Sequence, residues 1–258
     1  VLAPQDLLPV LSRRLYTIPY DSYPDRTFRD SFIDQATLYE TPAGIIGFPL
    51  TIDPLVLYWN RDLLSAQNML SPSKSWGDFY LLAPRFLKRD SAGNITQSLV
   101  GFGTANNVNH LKDILSALLL QTGNPITTER RGERVSTIDA KTDALEGAGV
   151  SIFRFFTEFS NPNKAVYSWN RSVPNSLDFF SAGKLAYYVG PASDAAVIKA
   201  KNPYLNFDVA NLPNVVGAPQ HITFGRMTAL SLLARSTNSA RAFQIITTLT
   251  SPQALSIL

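Results

Sequence analysis

Residues 45–60 read IIGFPLTIDPLVLYWN and decide the fold more than any other stretch of the chain. They form two runs rich in β-branched, aromatic and other apolar residues, which are typical of buried strands. Asp53-Pro54 lies between the two runs and is expected to supply a turn or bend. The stretch therefore predicts two buried strands in succession. Asn60 ends it, and its side-chain oxygen can cap a short helix predicted to begin at Arg61.

Outward from this stretch, strand-like and helix-like segments alternate along the chain. Further strands are predicted at 99–103, 185–189, 207–210 and 227–233. Helices are predicted from Ser75, up to Leu120 before Gly123, over 139–159 and 176–182, after Gly190-Pro191, and over 239–249. The polar residues 126–137 predict an exposed loop or hairpin. This alternation of strands and helices indicates an α/β fold.

The composition predicts a globular protein and excludes several classes of function. The chain has 258 residues, of which 45% are hydrophobic and 17% charged. This composition is sufficient for a large core, and the length is sufficient for two lobes. Its net charge of +3 is spread along the chain rather than gathered in a stripe. Nucleic-acid binding is therefore not expected. No apolar run approaches the ~20 residues of a membrane span.

Catalytic and metal-binding signatures are also missing from the sequence. The chain has no cysteine, so disulfides, thiolate nucleophiles and Cys-ligated zinc are excluded. His110 and His221 are its two histidines, and neither lies in a metal-binding motif. No G-x-S-x-G, P-loop or complete G-x-G-x-x-G motif is present. We therefore predict no catalytic residue, no metal and no cofactor, although no single sequence can identify or exclude a carboxylate pair for glycoside hydrolysis.

The residues that could build a ligand cleft are aromatic or planar and polar. Such side chains match the apolar faces and the hydroxyl groups of a carbohydrate. The candidate ligand-binding residues are Asp53, Asn106, Asn107, Asn109, Trp169, Ser193, Asp194 and Phe224.

Each candidate also has a plainer interpretation. Asp53 could simply form an Asp-Pro bend. One asparagine of 106–109 is expected to be the N-cap of the following helix, and Ser193 and Asp194 begin another helix. Trp169 lies in a polar segment, where core packing explains it less easily than it explains the other aromatic residues.

Seven motifs in order along the chain resemble one family. The family's pattern of an aromatic-glycine-apolar-proline run, an acid and then Y-N-(K/R)-D-L is matched by residues 45–64. The further matches are Ser75–Phe79, Gln121–Asn124, Phe180–Ala186, Gly190-Pro191, Phe224-Gly225 and Ala240–Ala254. In these motifs the chain resembles the extracellular solute-binding proteins of bacterial ABC importers, family 1, which includes the maltodextrin-binding proteins. The resemblance covers roughly residues 40–255.

The resemblance implies a two-lobe α/β fold of the periplasmic-binding type with hinge strands. One lobe would comprise residues 1–52 and 228–258, the other residues 55–223, with crossings near 53–54 and 224–227. The resemblance also implies that the chain lacks the family's first and last segments, so the first lobe is expected to be incomplete. Asp53 matches the position of a ligand-contacting acid near the hinge. Ala192 replaces a stacking tryptophan that maltodextrin-binding relatives often carry.

The implied function is non-catalytic. The resemblance predicts a monomeric extracytoplasmic receptor, in many members lipid-anchored, that captures a carbohydrate and delivers it to the permease subunits of an ABC transporter. Three alternatives stay open. They are a receptor of the same fold for a peptide, polyamine or metal chelate, a glycan-active enzyme, and an adhesion or sensory module.

Overall fold

A computed structural model describes residues 1–123, 125–131, 133–138, 147–218 and 221–256. The chain divides into two compact units. The smaller unit contains Val1–Asp53 and Gly225–Leu258, and the larger unit contains Pro54–Phe224. Within the described residues, no helix is long and apolar enough to cross a membrane.

Strands and helices alternate along the chain, which confirms the predicted α/β class. The strands are β1 (Leu2–Pro4), β2 (Glu40–Thr41), β3 (Gly44–Ile45), β4 (Phe48–Asn60), β5 (Lys88–Arg89), β6 (Ile95–Val100), β7 (Thr127–Arg130), β8 (Glu133–Ser136), β9 (Leu185–Pro191), β10 (Phe207–Ala210) and β11 (Gly225–Leu230). The α-helices are α1 (Leu8–Leu11), α2 (Asp25–Ser31), α3 (Arg61–Ser65), α4 (Phe79–Phe86), α5 (Leu111–Gln121), α6 (Ala148–Glu158), α7 (Ser176–Ser181), α8 (Asp194–Lys201), α9 (Ser239–Leu249) and α10 (Pro252–Leu255). Short 3₁₀ helices cover Gln5–Leu7, Ser12–Arg14, Asp34–Tyr39 and Trp76–Asp78.

The prediction of two strands around Asp53-Pro54 is wrong, because β4 runs without interruption through both residues. Proline fixes φ near −65°, a value that extended backbone accepts, and it lacks only the amide donor. Pro54 also precedes the residues of β4 that pair with β9 (Leu55–Trp59) and with β10 (Leu57–Asn60), so neither pairing needs an amide donor from it. Its carbonyl still accepts a hydrogen bond, from the amide of Ala192 at 2.9 Å.

In the larger unit the sheet has the order β10-β4-β9-β6-β5. β4 is antiparallel to both β10 and β9, with Tyr58 opposite Tyr188, and β6 is parallel to β9. Every residue of β9 is buried, as expected for a strand covered on both faces. The core around this sheet includes Phe79, Phe102 and Phe180.

The smaller unit has its own core. β1 pairs antiparallel with β11, with Ala3 opposite Ala229, and β11 is also hydrogen-bonded to β4. The buried Tyr39 hydroxyl donates to the carbonyls of Ala3, at 2.9 Å, and Met227, at 3.2 Å. Aromatic packing against Phe48 completes the core of this unit.

Several local predictions are confirmed. Asn60 caps α3, since its Oδ1 accepts from the amide of Leu63 at 3.0 Å. The segment 126–137 forms the antiparallel hairpin β7–β8. Of the long helix predicted over 139–159, α6 covers Ala148–Glu158, and residues 139–146 lie outside the described residues. α4 begins at Phe79, and Pro84 lies inside it.

Buried tyrosines make the stability of the fold sensitive to alkaline pH. Burial raises the pKa of Tyr187 from its ordinary value near 10 to about 12. Its hydroxyl oxygen accepts a hydrogen bond from the amide of Ser73 at 3.1 Å. Between pH 10 and 12 the unfolded phenol has lost its proton while the folded one keeps it, so rising pH favours the unfolded chain.

We therefore expect the free energy of unfolding to fall between pH 10 and 12, with Tyr187 contributing about 1.4 kcal/mol for each pH unit. Urea unfolding curves at pH 9, 10, 11 and 12 measure this slope. Other buried tyrosines contribute to the same slope, so the Tyr187→Phe variant isolates the share of one phenol. Identical slopes for the native chain and Tyr187→Phe would contradict the prediction.

Candidate functional site

Three loop segments converge at one edge of the sheet in the larger unit. Because β9 and β10 are both antiparallel to β4, and β6 is parallel to β9, the carboxyl ends of β6, β9 and β10 lie at the same edge. The described residues that follow them are 101–110, 192–193, 211–218 and 221–224. In open α/β sheets, ligands bind outside the carboxyl ends of the strands. We call this region the carboxyl edge and take it as the candidate site.

Hydrogen bonds to the backbone of residues 54 and 55 hold these segments against the start of the larger unit. The amide of Leu55 donates to the carbonyl of Phe224 at 2.8 Å. The hydroxyl of Thr223 donates to the carbonyl of Leu55 at 2.7 Å. Ala192, just after β9, donates to Pro54 as described above. The carboxyl edge is therefore tied to β4 from two sides and forms a preorganised surface.

Gln121 in α5 anchors the segment that follows β10. Its Oε1 accepts from the indole Nε1 of Trp76 at 2.8 Å. Its Nε2 donates to the carbonyls of Pro213, at 3.0 Å, and Ile222, at 2.8 Å. One buried amide thus holds both residue 213 and residue 222 in place.

A histidine, an aspartate and a tyrosine meet at the carboxyl edge. The hydroxyl of Tyr188 donates to Oδ2 of Asp194 at 2.5 Å. Nε2 of His110 lies 3.1 Å from the same oxygen. Asp194 is the first residue of α8, where the helix dipole favours a negative charge. Burial, followed by the hydrogen bond to Asp194, raises the pKa of Tyr188.

The sequence predicts Asp194 as a ligand-binding residue, but it offers Tyr188 only as a possible stacking platform and assigns His110 to no site. His110 is 84 positions away from Asp194, so no local motif joins them. Ser193 precedes Asp194, is exposed, and does not cap α8 through its side chain.

The placement of Trp169 in a ligand-facing polar loop is wrong. Its side chain is 0% exposed and packs edge-on against Phe179, with ring centroids 5.7 Å apart. Its indole Nε1 donates to Oδ1 of Asn107 at 3.0 Å. The polar neighbours of Trp169 in the sequence suggest an exposed side chain. The large apolar ring is nevertheless buried, and its one polar atom donates to Asn107.

Asn107 is likewise committed to the fold. Besides the bond from Trp169, its Oδ1 accepts from the hydroxyl of Thr104. Its Nδ2 donates to the carbonyls of Asn170, at 2.9 Å, and Val173, at 2.7 Å. Both hydrogens of Nδ2 and both lone pairs of Oδ1 are therefore used within the protein.

The expectation that one of Asn106, Asn107 and Asn109 caps the next helix is also wrong. The N-cap position of α5 is occupied by His110, whose side chain makes no capping bond. Oδ1 of Asn109 instead accepts from the amide of Leu177 in the first turn of α7, at 3.0 Å. Of the three asparagines, Asn106 is the exposed one.

The remaining candidates lie on either side of the unit boundaries. Asp53 is half-buried and is the last residue of the smaller unit before β4 enters the larger one. Phe224 is half-buried and packs against the core of the larger unit. Five further aromatic residues, whose rings could serve as stacking platforms for a sugar, are buried in that core. They are Tyr58, Trp59, Trp76, Tyr187 and Tyr188.

Two neighbouring cavities open beside the carboxyl end of β10. They have volumes of about 260 and 390 Å³ and share Asn211, Leu212 and His221 as walls. The first is completed by residues 54–56 and 222–223, and the second by residues 71–74 and 210. Their size suits a small ligand or one residue of a larger one. Among the described residues, no group of three metal-ligating side chains is positioned to hold a metal ion.

Comparisons with known proteins agree with this architecture. A family model described as bacterial extracellular solute-binding protein matches residues 3–257. The fold is similar to a solved structure described as a cyclo/maltodextrin-binding protein complexed with maltotetraose, with a TM-score of 0.76. The two sequences are 20% identical, and the match covers 100% of this chain and 61% of that one. No curated protein sequence matches the chain. The similarity confirms the predicted two-lobe α/β fold of the periplasmic-binding type.

Proposed function

The chain belongs to the bacterial extracellular solute-binding proteins, and from this membership we propose that it captures a carbohydrate outside the cytoplasmic membrane and delivers it to an ABC permease. The proposal is of a receptor rather than an enzyme. The observation that carries it is the convergence of three loop segments at the carboxyl edge, where open α/β sheets bind ligands.

The chemistry of this edge suits a solute rich in hydroxyl groups. Asn106 and Ser193 are exposed there, and the ring of His110 is 21% exposed. Sugar hydroxyls both donate and accept hydrogen bonds, so a mixed set of amide, hydroxyl and imidazole groups matches them. Phe224 is the half-buried aromatic residue of the edge, and the tyrosines and tryptophans around it are in the core. Binding would therefore depend on hydrogen bonds more than on aromatic stacking.

Hinge motion is part of the same proposal. The chain passes between its two units at Asp53-Pro54 and at Phe224-Gly225. We propose that backbone rotation at these two connections accompanies solute capture, which is a common way for such folds to bury a ligand. Asp53 stays in the proposal as a hydrogen-bond acceptor next to the first connection.

A binding screen tests the function. Isothermal titration calorimetry should show saturable binding of at least one glycan from a panel containing maltotetraose, a cyclodextrin, and xylo-, manno- and galacto-oligosaccharides. At 100 times its Kd, that glycan should stabilise the fold by about 2.7 kcal/mol, seen as a rise in Tm. Small-angle scattering of the same samples should show a smaller radius of gyration with the glycan bound.

The panel also contains spermidine, tetra-alanine and a ferric hydroxamate, and the glycan samples are examined by chromatography for hydrolysis. Binding of one of these non-sugars alone would overturn the carbohydrate while keeping the receptor. Hydrolysis of a glycan would overturn the receptor in favour of an enzyme. The absence of binding to every member would contradict the proposal as a whole.

A further inference from the structure

We propose that His110 contacts the solute directly and selects hydrogen-bonding groups on it, and that Asp194 and Tyr188 are positioning residues that hold its ring. This inference rests on the proposed function, since it concerns the same edge of the larger unit. Neither the family match nor the similar structure assigns a role to these three residues.

The hydrogen-bonding geometry determines which ring nitrogen of His110 carries a proton. Oδ2 of Asp194 receives two groups, the hydroxyl of Tyr188 at 2.5 Å and Nε2 of His110 at 3.1 Å. A carboxylate can only accept, so both neighbours must donate. Nε2 therefore bears a hydrogen, and the ring presents its second nitrogen, Nδ1, as the remaining polar atom. Within the described part of the chain, Nδ1 has no hydrogen-bond partner.

The ring is positioned by rigid elements. Tyr188 is in the middle of β9, opposite Tyr58 in β4. The hydroxyl of Tyr58 in turn donates to the carbonyls of Pro191, at 2.7 Å, and Ala192, at 2.9 Å, just before α8. Asp194 is thus held by a strand on one side and by the start of a helix on the other. Side chains fixed in this way lose little freedom when they bind a ligand.

A purely structural role explains His110 poorly. It occupies the N-cap position of α5, yet its side chain makes no capping bond. Its backbone has φ 56° and ψ 28°, a left-handed conformation that histidine, like asparagine and aspartate, adopts more often than most other residues. The ring is 21% exposed and the Asp194 side chain only 12%, so the ring is the more exposed partner at the edge.

The chemical class of the contact follows from the free nitrogen. In the neutral ring, Nδ1 is an acceptor, so it would recognise a hydroxyl or N–H donor on the solute. A glycan hydroxyl is such a donor. An anionic solute would instead require a donor at this position.

Nuclear magnetic resonance of the two imidazoles tests the positioning. The chain has two histidines, so the spectrum of a His221→Asn variant assigns the signals of His110 in ¹⁵N-labelled protein. We expect the neutral ring to be protonated at Nε2, and the Nδ1 signal to move when maltotetraose, or the tightest-binding glycan of the panel, is added. Asp194→Asn and Tyr188→Phe should alter the tautomer signal. A ring protonated at Nδ1, or a signal unmoved by saturating glycan, would overturn the inference.

Affinity provides the second measurement. His110→Asn keeps a residue that tolerates the left-handed backbone but removes the ring nitrogen, and we expect it to raise Kd about tenfold, the effect of one lost hydrogen bond. Lys199→Ala, an exposed change near the other end of α8, serves as the control and should alter Kd less than about twofold.

The outcomes separate the two proposals. If the native chain binds a glycan and a folded His110→Asn variant binds it equally well, the inference fails while the proposed function stands. If no member of the panel binds the native chain, the proposed function fails and the inference with it. Should His110→Asn not fold, the chemical-shift experiment on the native ring decides.

Discussion

Replacing Trp169 with alanine should lower the free energy of unfolding by about 3–5 kcal/mol, the usual cost of removing a large aromatic side chain from a core. The ring is fully buried in the larger unit and is closely packed against Gly101, where an added Cβ would lie 3.2 Å from it. The substitution also leaves Oδ1 of Asn107 without its indole donor. Because that amide ties residues 104, 170 and 173 together, the loss would spread beyond the cavity itself.

Urea unfolding followed by tryptophan fluorescence measures this effect, because Trp59 and Trp76 remain as reporters in the same unit. Trp169→Phe is the matched variant. It keeps an aromatic ring but removes the donor to Asn107, and should cost about 1–3 kcal/mol. Tyr204→Ala, at a side chain that is 96% exposed, should change little. A loss below about 1 kcal/mol for Trp169→Ala would show that the ring is not in the core.

The second large effect is expected in the smaller unit, from Gly44→Ala. Gly44 has φ +143°, a conformation that side chains rarely adopt, and a Cβ there would lie 2.1 Å from the carbonyl oxygen of Ile18. That oxygen accepts from the amide of Ile45 at 2.9 Å, and Ile18 donates back at 2.8 Å. The clash is with backbone, so the paired segments must separate. We expect a loss of about 3 kcal/mol or more.

Hydrogen exchange measured by mass spectrometry locates this damage. Protection should fall in residues 1–53 and 225–256, whereas tryptophan fluorescence should change less, because all three tryptophans are in the larger unit. Gly93→Ala is the control. Gly93 also has a positive φ, +84°, but a Cβ there meets nothing within 4 Å, so only the backbone cost of about 1 kcal/mol remains. Equal effects of the two substitutions would contradict the role of the Ile18 contact.

Local features of the fold were predictable from the sequence because their causes are local. The cap at Asn60 acts on an amide three residues away, and the periodic apolar pattern of 239–249 matches α9 from end to end. The prediction of a turn at Asp53-Pro54 was wrong because the conformation of this pair is not decided locally. An Asp-Pro pair is compatible with both a bend and an extended strand. Here it is extended, because β4 is hydrogen-bonded to neighbouring strands.

The candidate site was less predictable than the elements around it. The sequence identified Ser193 and Asp194 through the helix they begin, and Asn106–Asn109 through the helix that follows. It did not show that the side-chain amides of Asn107 and Asn109 form hydrogen bonds that hold α7 and the Trp169 segment in place. Side-chain amides serve ligands and backbone equally well, so residue type alone could not separate the two uses.

The sequence by itself determined the α/β class, most of the helices and strands, and the family to which the chain belongs, because apolar periodicity, capping residues and short motifs act over a few positions. The tertiary structure alone decided that Trp169 is in the core and that His110, Tyr188 and Asp194 meet at one edge. Those contacts join residues as many as 84 positions apart, and they exist only once β4, β6 and β9 pair in their observed register. A one-residue shift in that pairing would turn the same side chains to the opposite face.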